Sequence, residues 1–304
     1  WQEPVITEKL AFDCLEKLPI HKDDITYLAV PWASAIDTLL WGNDHDKSQA
    51  EDLLREISTL PNQNYFTVCQ HYKYEHILKA FKGIGGSCIF TPHAPKVTKI
   101  SSLFRFPRVN LQPFPLFAPV IPDILSDRPI WYSFIGAYTK HYISGIRENI
   151  FQDTHPENAV IVERNRWQYD DDVYKRQVQG KKLPELNKYI NQEKTEYYKR
   201  VLANSRFSLC PSGAGPNSIR FFESLSSGSI PVLLADTLEL PKVNAIDWDE
   251  CIIRVSENKY NQLRDILGEI SSEEEKAMRQ NCIEAYDHLS GENFVQCIRD
   301  YYEQ

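Results

Sequence analysis

The stretch Arg206–Pro241, RFSLCPSGAGPNSIRFFESLSSGSIPVLLADTLELP, decides the fold. It opens on a short apolar run, Phe207-Ser208-Leu209-Cys210, that reads as a buried strand. A turn follows, Pro211-Ser212-Gly213-Ala214-Gly215-Pro216, made of the residues that punctuate regular structure. Asn217-Ser218 occupy the place of a helix N-cap, and Glu223-Ser224-Leu225 lie on the helix they start. Gly228 closes that helix, and Ile230–Leu234 is a second strand that tolerates Pro231 only near its beginning. Strand, Gly-rich turn, helix and strand make one βαβ unit. Its turn lies at the carboxyl end of the first strand, where open α/β sheets bind ligands.

The chemistry of that turn is specific in kind. Gly213 and Gly215 let the backbone approach a ligand, and free N–H groups at the helix start attract an anion. Arg220 and the hydroxyls of Ser212 and Ser218 are further donors to a phosphate. Glu223 lies about one and a half turns beyond Ser218. A carboxylate there repels phosphate and suits paired sugar hydroxyls, so ribose is its expected ligand. An ordinary βα turn with a surface Arg and Glu has the same composition, and at this level both readings stand. Neither a P-loop (Gly-Lys-Ser/Thr at the helix start) nor GxGxxG is present, which argues against a nicotinamide cofactor.

With 304 residues the chain exceeds one typical domain, and two of about 150 are the natural expectation. Hydrophobic content of 42% supports packed cores, and the net charge of −8 argues against a broad nucleic-acid footprint or a polybasic membrane patch. The seven cysteines are scattered without CxxC, so neither zinc nor a disulfide framework is indicated, and reduced thiols acting as small hydrophobes are expected. There is no Asn-x-Ser/Thr sequon, and no apolar run approaches the ~18 residues of a membrane span. A cytoplasmic location without a spanning segment or signal peptide is the expectation.

Upstream, helical periodicity over Thr7–Leu18 and Lys47–Leu60 alternates with strands at Ile25–Val30, Asn64–Gln70 and Ser87–Phe90. Asp44-His45-Asp46 reads as a loop after Trp41-Gly42. Phe106–Pro129 carries six prolines, which excludes regular helix or a central strand and fits a linker crossing between domains, or an extended surface loop. The pattern restarts with a strand at Ile130–Ile135, ending at Gly136, then a helix from Lys140 to Phe151 and a strand at Ala159–Val162. Asp170-Asp171-Asp172 reads as a solvated turn rather than a metal motif. Leu183–Asn204 is a long helix whose apolar positions include Tyr197, Val201 and Leu202. A strand at Cys251–Val255 and three helices close the chain.

The central block, with Ser218-x-Arg220-x-x-Glu223, Gly228-Ser229-Ile230-Pro231-Val232 and Leu240-Pro241, resembles the exostosin family, inverting glycosyltransferases of family 47 with the GT-B fold. Trp131–Arg147, WYSFIGAYTKHYISGIR, is similar to the family's strand–Gly–helix segment with its basic residue. Where the family usually shows Gly-Cys-Ile-Pro-Val, this chain has Gly-Ser-Ile-Pro-Val from Gly228 to Val232.

The resemblance implies an α/β chain of two Rossmann-like domains facing a central cleft: 1–125 on the acceptor side, 126–290 binding the nucleotide sugar, and 291–304 as a terminal helix crossing back. It implies inverting transfer from a nucleotide-diphosphate sugar, taken as a UDP-sugar, to a glycan hydroxyl, with no metal and no cofactor beyond the donor. Gly136 would then face the cleft, with Arg147, and behind it Lys140, stabilising the departing diphosphate. Asn217 completes the expected donor set beside Ser212, Gly213, Ser218, Arg220 and Glu223. The base that deprotonates the acceptor would come from the first domain, among Asp37, Asp44, His45, His71, His76 and His93. His71, just past a strand end, leads, and Asp44 follows. The family's eukaryotic members are luminal, so a Golgi lumen location is the alternative to a cytoplasmic one. The rival readings of function are a catalytically silent binding module partnering another transferase, and an enzyme of other phosphosugar chemistry, such as an epimerase, on the same fold.

Overall fold

The computed structural model describes residues 1–304 except 18–19, 21–23, 97–108, 123–126, 168, 183 and 304, and only the backbone of 185–190. Its described strands form two parallel sheets. The first contains β1 (Thr26–Tyr27), β2 (Tyr65–Val68), β3 (Gly86–Thr91) and β4 (Asn110–Pro113), in that spatial order. Helices α1 (Thr7–Lys17), α2 (Trp32–Trp41), α3 (Asp44–Ile57) and α4 (Leu78–Gly83) alternate with them. Every residue of β2 is buried, as expected of a strand covered on both faces.

In this half one expectation is corrected, one helix is new, and the proline-rich stretch is refined. Asp44-His45-Asp46 is the first turn of α3 and not a loop, because Asn43 caps the helix by accepting from the Asp46 N–H at 3.0 Å. Acidic residues are also favoured at a helix start. The helix α2, WASAIDTLLW, went unforeseen because it is short and follows Pro31 with no capping side chain to mark its start. The proline-rich stretch contains β4, which ends at Pro113. As an edge strand it tolerates a proline that a central strand would not.

The second sheet has the order β6-β5-β7-β8-β9, built from β5 (Ile130–Ala137), β6 (Val160–Arg164), β7 (Ser205–Pro211), β8 (Ile230–Leu234) and β9 (Ile253–Arg254). Its helices are α5 (Ile146–Gln152), α6 (Glu185–Ala203), α7 (Ile219–Ser226), α8 (Leu263–Gly268), α9 (Ser272–Asp287) and α10 (Gln296–Tyr302). The anticipated βαβ unit is β7-α7-β8, with Phe207 paired to Ile230 in parallel register and Gly228 at φ +64° ending the helix. The chain winds one way from β5 to β6 and the other way from β7 onward, so the switch point lies between β5 and β7.

Of the adjacent tyrosines Tyr197 and Tyr198 in α6, Tyr198 is buried while Tyr197 is 41% exposed. Both lie one helical turn before Val201 or Leu202, so sequence spacing alone could not separate them. The acidic run begins a π-helical segment, Asp171–Val178, and Asp171 is buried against Lys175 at 2.6 Å and Arg166 at 2.9 Å, not a solvated turn.

One continuous cluster of buried side chains joins the sheets, running from Phe66 and Phe90 through Phe114 and Phe294 to Phe134, Phe207 and Val232. The terminal helix lies on the first sheet, with the Tyr302 ring 5.2 Å from Phe66. The expected domain boundary at 125–126 falls on residues outside those described. All seven cysteines are buried free thiols. Among the described residues no helix is long and apolar enough to cross a membrane. Two parallel α/β halves, fused by that core and facing each other across strand ends, constitute the GT-B architecture.

Candidate functional site

A cavity of about 640 Å³ opens between the carboxyl ends of the two sheets. From the first half it takes Asp37 and Trp41 of α2, Gln70, His71 and Tyr72 after β2, and His93 after β3. From the second it takes Gly136 at the end of β5, Arg147 of α5, Arg164 to Trp167 after β6, and the turn and helix from Gly213 to Glu223. The anticipated βαβ turn thus forms a wall of this cavity, at the sheet's switch point.

On that wall Arg220 is 8% exposed, and its Nη2 donates to the Ile135 carbonyl. Its Nε and Nη1 are buried and have no partner among the described residues. The guanidinium lies 4.5 Å from the Phe134 ring centre. Its charge also lowers Arg147 and Arg164, secondary in both to their burial. Arginines crowded together with unused donors form a site that an anion would relieve. Glu223, one turn along α7, is buried and accepts the Tyr198 hydroxyl at 2.6 Å. Burial raises its carboxyl above the usual range. Ser218 lines the cavity without a side-chain capping bond, while the Asn217 amide donates to the Pro92 carbonyl of the first half at 2.9 Å.

The turn glycines are explained by protein contacts. A Cβ on Gly213 would lie 2.8 Å from Arg147 Nη2, and one on Gly215 would lie 2.5 Å from His93 Nδ1. A Cβ on Gly136 would lie 2.8 Å from the Phe134 ring and 3.3 Å from Arg220 Nη2. These three positions let the guanidinium groups and the opposite half close on the turn.

Arg147 borders the cavity but is already engaged. It donates to the carbonyls of Ser212 at 2.7 Å, Ala137 at 3.0 Å and Pro211 at 3.3 Å, tying the end of β5 to the end of β7. Two other expected donor-site residues are corrected. The Ser212 hydroxyl turns away to Glu257 Oε1 at 3.1 Å and does not line the cavity. Lys140 is an exposed turn residue outside the lining.

The facing wall is a hydrogen-bond network. His71 Nδ1 accepts the Lys73 N–H at 3.0 Å, so the ring proton resides on Nε2, which donates to Asp37 Oδ1 at 3.1 Å. Asp37 Oδ2 accepts from the Gln2 amide. Gln2 in turn accepts from Gln70 at 3.2 Å, and the Gln70 N–H donates to Glu8 Oε1 at 2.9 Å. Glu8 also takes the Ala33 N–H at the start of α2 at 3.1 Å, and burial pushes its carboxyl up to about 8. His93 is pushed down to about 3, by desolvation first and then by His71, so its ring is neutral. Asp44 is exposed on α3 and does not reach the cavity, which corrects its place among the leading bases. At the rim, Trp41 and Trp167 both pack against Tyr174, with ring centres 5.2 and 5.8 Å away.

Sequence reading missed the grouping of Gln2, Glu8 and Gln70 around Asp37. The visible signal was polar residues beside apolar runs, at Gln70-His71 and within α2.

A model of the exostosin GT47 domain matches residues 105–270, more than half of the chain. The Exostosin-1 homolog of Caenorhabditis elegans is 31% identical over 187 residues, covering 59% of this chain and 44% of that protein. Exostosin-1 of Drosophila melanogaster is 32% identical over 178 residues, 55% of this chain and 22% of that protein. A probable glucuronoxylan glucuronosyltransferase of Arabidopsis thaliana is 32% identical over 93 residues, 31% of this chain and 20% of its own length. The chain thus spans less than half the length of these relatives. Among solved structures, TarM overlays with a TM-score of 0.45 at 10% identity, over 80% of this chain and 50% of that one, an overlap too slight to say more.

Proposed function

The chain belongs to the exostosin GT47 family, and from that premise we propose that it transfers a sugar from a nucleoside-diphosphate donor, read as UDP, to a glycan hydroxyl with inversion. The observation that carries this is Arg220, a buried guanidinium on the cavity wall with Nε and Nη1 unpartnered among the described residues. A diphosphate supplies the missing acceptors, and the charge that develops on it as the glycosidic bond breaks strengthens the contact in the transition state. Glu223, on the same helix and lining the same cavity, takes the ribose hydroxyls. Arg147 acts by holding the strand ends that frame the diphosphate.

The reaction is proposed to need no metal. Asp170, Asp171 and Asp172 are matched by Arg166 at 3.5 Å, Lys175 at 2.6 Å and Arg176 at 3.0 Å, so their charge is already balanced. Relatives named probable glucuronosyltransferases make UDP-glucuronic acid the first donor to try.

Calorimetry with UDP tests the reading. Wild type should bind, and Arg220→Met should weaken binding by about 1.5–3 kcal/mol, the scale of hydrogen bonds to a charged group. Sugar transfer should persist in excess EDTA. Undiminished UDP affinity in the variant would remove Arg220 from the donor site, and binding without turnover on a broad panel of donors and acceptors would return the chain to the silent-module reading.

A further inference from the structure

Histidine is the usual choice for a base near neutral pH, and His71 stands in the cleft, but its hydrogen bonds leave it no lone pair to use. Nδ1 faces the Lys73 N–H and Nε2 carries the proton given to Asp37. His93 Nδ1 has no partner among the described residues, but it lies against the Gly213–Gly215 turn, where a Cβ on Gly215 would come within 2.5 Å, and desolvation has brought the ring down to about 3. Asp37 differs from both. Its two oxygens accept one donor each, from His71 and from Gln2, and an ionised carboxylate has about four acceptor positions. It lines the cavity from the half opposite Arg220.

We propose that Asp37 is the catalytic base and that His71, with Gln2, is a positioning residue that fixes the orientation of its carboxylate. This rests on the glycosyltransferase reading and adds the acceptor half of the reaction. The acceptor hydroxyl donates its hydrogen bond to a free lone pair of Asp37. As its oxygen bonds to the anomeric carbon, the proton passes to the carboxylate. The bond from that carbon to the phosphate oxygen breaks, and its electron pair leaves with the diphosphate beside Arg220. The products are the lengthened glycan, the nucleoside diphosphate and a proton that Asp37 returns to water. The network that holds Asp37 reaches back through Gln2 and Gln70 to Glu8, whose carboxyl oxygens also accept the Ala33 N–H in the first turn of α2. Both the side chain and the helix that carries it are therefore oriented from behind.

Two isosteric variants decide the matter, with UDP affinity and thermal midpoint as controls for folding. Asp37→Asn keeps the shape and removes the basic group, so kcat should fall by about 10²–10⁴-fold while UDP affinity stays within about twofold. His71→Gln can still accept from Lys73 and donate to Asp37, so it should keep kcat within about tenfold and retain the acidic limb of its pH profile. The proposal is overturned if Asp37→Asn transfers at the wild-type rate, or if His71→Gln is as inactive as Asp37→Asn and UDP binding shows it folded. Should the wild-type chain transfer nothing from UDP-glucuronic acid, UDP-glucose, UDP-galactose, UDP-N-acetylglucosamine or UDP-xylose to a mixed glycan pool, the glycosyltransferase reading itself fails, and this proposal fails with it.

Discussion

The two walls of the cleft are built in opposite ways. The second half assembles its wall from one contiguous block, with Gly213, Gly215, Ser218, Arg220 and Glu223 within eleven residues of sequence. The first half assembles Gln2, Glu8, Asp37, Gln70 and His71 from four separate segments, tied by bonds spanning 34 to 68 positions. A local turn-and-helix motif carries its own geometry, because backbone and helical period place the side chains. A network of distant groups has geometry only once the sheet and α2 have packed. Changes to the first wall should therefore disturb orientation, and changes to the second should disturb binding, unless a residue there also braces the fold.

Arg147 and Arg220 sharpen that contrast most. They line one cavity with the same side chain, yet Arg147 satisfies three carbonyls and Arg220 one. Arg147→Ala leaves the Ala137, Pro211 and Ser212 carbonyls without their donor and should destabilise the fold by about 3 kcal/mol or more. Arg220→Met, which removes a charge buried with two unused donors, should change stability by less than about 1 kcal/mol while weakening UDP binding. Denaturant unfolding of the two variants measures the difference. Equal losses would mean that Arg220 also braces the fold, and the division between the two would collapse.

Legibility in the sequence followed the same line. The β7-α7-β8 unit and the cavity-lining Arg220 and Glu223 were readable because turn residues and helix spacing are local signals. The helix α2 was hidden because no capping side chain marks its start after Pro31, and Asp37 within it stood as one of several candidate bases. Asp44, by contrast, reads in the sequence as part of a loop in the first domain, whereas it stands at an N-capped helix start, which accounts for its charge without function. Arg147 was readable as a cleft residue, but its bonds to three backbone carbonyls were not, since they depend on how β5 and β7 end side by side.

Glu8 offers a smaller, pH-dependent probe of the first wall. Its carboxyl is raised by burial from an ordinary 4.5 to about 8. Below pH 4.5 folded and unfolded chains both hold the proton. Between the two values the folded chain binds more, so the stabilisation falls as pH rises and is lost above about 8. Relative to Glu8→Gln, which keeps an acceptor for the Ala33 and Gln70 N–H groups, wild-type stability should decline through that window by at most a few kcal/mol. Thermal midpoints of the two proteins across pH 4 to 9 test this (a range chosen to bracket both values). Parallel curves would show that Glu8 stays ionised in the folded chain and that the network carries a charge on its inner side.

The finest probe belongs to the second wall and concerns which part of the nucleotide Glu223 holds. One of its oxygens accepts the Tyr198 hydroxyl at 2.6 Å, and the carboxylate lines the cavity. If the other oxygen accepts a ribose hydroxyl, removing either partner should forfeit the same hydrogen bond, and removing both should forfeit it only once. The measurement is calorimetry of UDP and 2′-deoxy-UDP against two proteins, Tyr198→Phe and Tyr198→Phe with Glu223→Ala. The tyrosine change comes first so that deletion of the carboxylate leaves no buried hydroxyl unpaired, which would otherwise enter the result. Loss of Glu223 should then weaken UDP by about 1 kcal/mol more than it weakens 2′-deoxy-UDP. Equal losses would detach Glu223 from the 2′-hydroxyl, leaving Tyr198 as its hydrogen-bonded partner among the described residues and Arg220 as the group through which the turn recognises its ligand.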